Sequence, residues 1–175
     1  MVMPERDRVL ERNNKNKVLR LVAQRLKKYG YLKTKPTIFT RVRGPVIEFL
    51  HLHKFTFEAS FRAHLGIRVI NETRAAVGLN GPSSDEIAVE GTNQRKYNFP
   101  YSDSVESLDH CADLIMEFVE IFAEPWFEKW REPAKLISDA ESPLHPQAKV
   151  ALQDALAGNC SVSNAAITRQ HFNAP

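Results

Sequence analysis

With 175 residues, 43% hydrophobic and 26% charged, the chain has the size and make-up of one ordinary globular domain; this excludes wholesale disorder and any need for disulfides or a structural metal to build a core. Charged residues fill Met1 to Arg12, where a secretory signal needs an apolar run, and no later segment is long enough to span a bilayer, so the sequence reads as cytoplasmic with no membrane partner. The net charge of +3 is uneven: residues 1–43 hold 13 Lys and Arg against three acids, a balance of +10, and the other 132 residues carry −7. That asymmetry fits either a nucleic-acid-binding end or internal pairing with the acids concentrated between Asp103 and Glu141.

In chain order, Val18, Leu21, Val22, Leu26 and Tyr29 fall at helical spacing, which predicts an amphipathic helix over 14–29, capped by Asn13 or Asn14 and ended by Gly30. Residues 1–12 are expected to fray. Pro36 opens a strand-rich segment in which Ile38–Val42 and Val46–Phe55 flank a Gly44-Pro45 turn. A second turn near Lys54–Thr56 leads into Phe57–Val69, the stretch that organises the chain. Read with period two, Phe57, Ala59, Phe61, Ala63, Leu65, Ile67 and Val69 point to a core, while Glu58, Ser60, Arg62, His64 and Arg68 point away.

Residues 71–94 carry turn chemistry and predict a long mobile loop with a short strand at Ile87–Val89; Arg95–Tyr101 reads as a returning edge strand. Asp103 and Glu106 suggest a capping box for a helix whose stripe runs from Leu108 to Phe122, with a kink or restart at Pro125. Trp126, Phe127 and Trp130 read as core. A further helix is expected over Pro143–Ala157, and a polar tail, helical from Ser163 or flexible, over about 159–175. Cys111 and Cys160 stand in no metal or redox motif and are expected as reduced thiols.

The fold class that follows is α+β: a single domain over 1–175 with a twisted antiparallel sheet of three to five strands, packed on one face by helices. If the second hairpin turns at Phe55-Thr56, Leu50 lies opposite Phe61, His53 faces Glu58, His51 faces Ser60 and Ile47 faces His64. A three-residue first turn adds Phe39, Arg41 and Arg43 to the polar side. The candidate ligand- or partner-binding residues are therefore Arg41, His51, His53, Glu58, Arg62, His64 and Arg68. His51 and His53 project to one side, but this register puts His64 about 13 Å from His51, too far for a shared metal. No cofactor or metal is called for.

Two functions suit such a face. One is docking of a protein or acidic ligand, with arginines as directional contacts and phenylalanines as anchors. The other is a small metal-independent ribonuclease or RNA-binding protein, with Glu58 or His53 as base, His64 or His51 as acid, and Arg62 or Arg68 stabilising the phosphate. The order helix, meander, loop and long helix, with Phe57-x-x-x-Phe61-Arg62-x-His64-Leu65-Gly66-Ile67, resembles small bacterial proteins classed as domains of unknown function over residues 14–130. Several such families lie in toxin and immunity neighbourhoods. The resemblance implies an intracellular interaction module of toxin-immunity type and transfers no catalytic residue.

Overall fold

The computed structural model describes residues 5–74 and 77–175. Its centre is a five-stranded antiparallel sheet in sequential order, formed by β1 (Leu32–Lys35), β2 (Ile38–Arg43), β3 (Val46–Lys54), β4 (Ser60–Val69) and β5 (Phe99–Pro100). The helices are α1 (Glu5–Leu26), α2 (Val105–Phe118), α3 (Glu124–Lys129), α4 (Pro133–Ser138), α5 (Pro146–Leu156) and α6 (Val162–Phe172). The architecture is α+β, and no described helix is long and apolar enough to cross a membrane.

The period-two reading holds from Phe61 to Val69: Phe61, Ala63, Leu65, Ile67 and Val69 are buried on one sheet face with Leu50, Leu52 and Phe39. Val18, Leu19, Val22 and Leu26 of α1 and Leu108, Cys111, Ala112, Ile115 and Phe118 of α2 cover that face, each set recurring at three- and four-residue intervals. α1 begins earlier than its polar caps suggest, at Glu5; a 3-10 turn over Lys27–Tyr29 continues it to a left-handed Gly30, the stop expected there. The α2 cap is Ser104, whose hydroxyl accepts from Ser107 N–H, one residue beyond the expected Asp103. The helix restarts at Pro125 as expected: the backbone widens into a π-helical turn over Val119–Ala123, and Pro125, which has no N–H to donate, stands in the first turn of α3.

Three sequence expectations about the strands are corrected. Gly44-Pro45 makes a two-residue turn, with Arg43 opposite Val46 and Gly44 at φ 55°. The hairpin between β3 and β4 spends five residues, Phe55–Ala59, on its connection, so the pairing is His51 with His64 and His53 with Arg62, a slip of four residues from the tight-turn register. Phe57 consequently sits in the connection and is 98% exposed instead of belonging to the core. The slip preserves which face each side chain occupies because four is even.

Residues 77–86 lie along β4 instead of standing free. Pro82 O accepts from Leu65 N–H, Gly81 N–H donates to Leu65 O, the Asn80 amide pairs with both Ile67 backbone groups, and Ser84 Oγ accepts from Ala63 N–H. A Cβ on Gly81 would fall within 3 Å of Leu65 O and the Trp126 ring, so this close approach requires glycine. Ile87–Val89 forms no strand, only a bridge from Ala88 to Arg95, and the returning edge strand shrinks to Phe99–Pro100.

The tail folds as α6, capped by Ser161, and crosses the second sheet face. There Phe172 is buried against Phe49, with ring centroids 5.0 Å apart, in a small second core with Ile47 and Ile70. Phe49 in turn lies over Gly66, where any Cβ would collide with its ring. Helices thus pack on one face as expected, and α6 additionally covers one end of the other.

Candidate functional site

α6 shields the Ile47–Phe49 end of the second face and leaves the end near the β3–β4 connection half-buried. Four of the seven expected residues meet there. His51 and His64 are direct cross-strand partners with rings 6.2 Å apart and nearly parallel; His53 stands edge-on to His51 at 5.9 Å, with Arg62 opposite it. The tight-turn register, with His64 four residues farther along, is overturned by the longer connection.

The other three go elsewhere. The two-residue Gly44-Pro45 turn reverses the parity of β2, which puts Arg41 on the helix-covered face, buried, with Nε 2.7 Å from Glu48 and Nη1 2.9 Å from Glu124. Glu58 lies in the exposed hairpin connection and pairs with no histidine across the ladder. Arg68 shares the histidine face but is buried at its far end, held by Glu72 at 3.3 Å, a carboxylate that also meets His145 at 2.8 Å.

Sequence reasoning missed the residues that complete the cluster. Arg62 Nη1 lies 3.5 Å from Asp85, and its guanidinium sits 5.5 Å from the centre of the Phe55 ring; Arg95 approaches the same ring at the same distance. Asp85 arrives because Ser83 bridges His64 across the ladder. Burial opposes charge on Asp85, yet the Ser83 hydroxyl that donates to it, together with Arg62, holds its carboxyl below the usual range. The Ser83-Ser84-Asp85 run read as a turn, and nothing local in it announces a neighbour of His64. The Nε of Arg62 is buried and has no acceptor among the described residues.

Burial and neighbouring positive charge favour the neutral forms of His51 and His64. Burial, then the neighbouring His53, His64 and Arg62, lower the pKa of His51 to about 4; burial and Arg62 also lower that of His64, against the pull of Asp85. A histidine whose folded pKa lies below its unfolded one stabilises the fold fully above the unfolded value and loses that contribution as pH falls toward the folded one. Unfolding free energy should therefore drop between pH 6.5 and 4 by on the order of 2 kcal/mol through His51, allowing for its partial exposure. Denaturant titrations at several pH values check this, and His51→Asn should flatten the difference across that window; parallel curves for the two proteins would refute the assignment.

Among the described residues no group of three His, Cys, Asp or Glu side chains is disposed to hold a metal ion. Both cysteines are free; burial pushes the Cys111 thiol up to about 12, as expected of a small core residue. No family model matches this chain, nor does any of the curated proteins or solved structures with which it was compared.

Proposed function

We propose that this protein is a binding module that seats an acidic segment of a partner protein on the free end of its second sheet face. The observation that carries the reading is the unmet hydrogen-bond donor of Arg62: its Nε is desolvated with no acceptor among the described residues, beside three half-buried histidines and the Phe55 ring. A buried donor left without a partner costs about 1–3 kcal/mol, which an incoming carboxylate would recover. Phe57, fully presented at the adjacent hairpin tip, supplies an aromatic anchor, and Arg95 a second cation. A binding role is also what the resemblance to toxin-neighbourhood proteins implies.

Binding is favoured over RNA cleavage by the lowered pKa values of the two candidate acids, His51 and His64. Cleavage near neutral pH needs a proton donor, and a His51 that stays neutral down to about pH 4 does not provide one. Titration with a fluorescein-labelled Glu- and Asp-rich peptide bearing one aromatic residue, followed by anisotropy, tests the reading. Arg62→Glu should weaken binding at least thirtyfold and Phe57→Ala about tenfold, whereas Arg131→Glu on a distant helix should leave it unchanged. Equal binding by all three variants, or cleavage of RNA by the wild-type protein that Arg62→Glu abolishes, would overturn it.

A further inference from the structure

The cations of the first 43 residues divide into two groups. Arg25 pairs with Asp109 and Asp113, Lys28 with Glu120, Arg41 with Glu48 and Glu124, and Arg43 with Glu48, so part of the basic N-terminal third is neutralised by acids of α2, the π-helical turn, α3 and β3. Lys17, Arg20 and Lys33 are different: among the described residues no carboxylate forms an ion pair with any of them. They line one groove of about 580 Å³ between α1 and the β1–β2 turn, together with the amides Asn13 and Asn16.

Like charges have been brought together there. Burial and then the nearby Arg20 and Lys15 lower the pKa of Lys33, so like charges face one another across the groove. Folding gains nothing from such an arrangement, whereas a bound anion relieves it.

We infer that this groove is a second binding site, independent of the histidine face, which takes the phosphate backbone of a nucleic acid. The chemistry of the lining selects this occupant. Asn13 to Arg20 spans about 10 Å of helix, the length over which one strand of a duplex carries about three phosphates, so the two amides Asn13 and Asn16 and the cations Lys17 and Arg20 line up as donors along a polyanion, with Lys33 of β1 across the groove. Leu10 and Pro36 are the only apolar lining residues, and no aromatic is present to anchor a peptide or stack a base. Recognition is accordingly of the backbone and independent of base sequence.

The test uses the full chain and fluorescein-labelled 20-mers, one single-stranded RNA and one duplex DNA, with anisotropy measured from 50 to 200 mM salt. Three phosphate contacts predict a slope of log K against log salt of about −2 for the single strand and nearer −3 for the duplex. The triple variant Lys17→Glu, Arg20→Glu, Lys33→Glu should weaken binding at least tenfold and remove most of that slope. Lys129→Glu, Arg131→Glu, Lys135→Glu, an equal change of net charge on α3, α4 and their connection, should change affinity less than threefold, and Arg62→Glu should leave it unaltered. If the groove triple fails to fold by circular dichroism, the milder Lys17→Gln, Arg20→Gln, Lys33→Gln set should show the same reduction in slope. Equal loss in the two triples, a flat salt dependence, or saturation by inorganic tripolyphosphate with no binding of either oligonucleotide would overturn the inference. Loss of peptide binding in Arg62→Glu with oligonucleotide binding intact separates this site from the one proposed above.

Discussion

Replacing Glu48 by alanine should destabilise the fold by about 3–5 kcal/mol, the cost of breaking a buried ion pair by removing one partner. Glu48 is buried, and one of its oxygens accepts from both Arg41 and Arg43, at 2.7 and 3.0 Å. The rest of the Arg41 guanidinium is fixed by Tyr29 O at 2.8 Å and Glu124 at 2.9 Å, and it stacks 4.3 Å from the Tyr31 ring, whose hydroxyl donates to the same Glu124. With Glu48 gone, Arg41 remains held in place but loses half its countercharge where water cannot replace it. Melting should fall by roughly 6–20 °C for a domain of this size. The double change Glu48→Met, Arg41→Met should cost less than Glu48→Ala alone, because it removes both charges and keeps the volume. A melting temperature within 2 °C of wild type for Glu48→Ala would show that Glu124 alone satisfies Arg41.

Phe172→Ala is the second large expectation, at about 3–5 kcal/mol. The ring is fully buried, packs against Phe49, and is the main apolar attachment of α6 to the sheet; the remaining ties include Asn71, which bonds Ser161 N–H and Asn164, and Asn173, which donates to Thr34 O. Hydrogen exchange should show the amides of Val162–Phe172 losing protection in the variant while β3 and β4 retain theirs. A cost below about 1 kcal/mol, with α6 still protected, would mean that the polar ties suffice. Peptide binding by the variant should persist, since the histidine end of the face lies beyond the helix.

These two sites also show what could be read from residues alone and what could not. The alternation from Phe61 to Val69 identifies the buried side of β4 without ambiguity, because a period of two has only two phases. The same alternation is blind to any slip by an even number, and so Leu50 opposite Phe61 and Leu50 opposite Leu65 look equally apolar. The residue that distinguishes them is Gly66: only its missing side chain lets Phe49 lie across β4, which fixes the register and brings His64 beside His51.

On β2 the error was one of parity. A two-residue turn and a three-residue turn give opposite faces, and the complementary charges of Arg41 and Glu48 were the available hint that the shorter one applies. Arg62, His51, His53 and His64 were legible as a group sharing a face, but Phe55 and Asp85 were not. Their arrival depends on the connection length and on a loop bound through Asn80 and Ser84, which reads simply as a succession of turn formers. The tail offered still less, because Phe172 and Thr168 are the only fully buried side chains in α6 and no apolar stripe accompanies them.

The way β4 is finished has a bearing on self-association. Sheets recruit further chains through unpaired backbone groups on their outermost strands. Here a polymerising copy would have to displace an asparagine amide, a serine hydroxyl and a glycine-proline segment that already occupy those groups along β4. At the opposite margin it would meet β1, four residues long, bearing Lys33 and Lys35 and ending before Pro36. A protein built with both margins defended in this way should stay dispersed when concentrated, and should form fibrils only after the 77–86 segment has been peeled from the sheet.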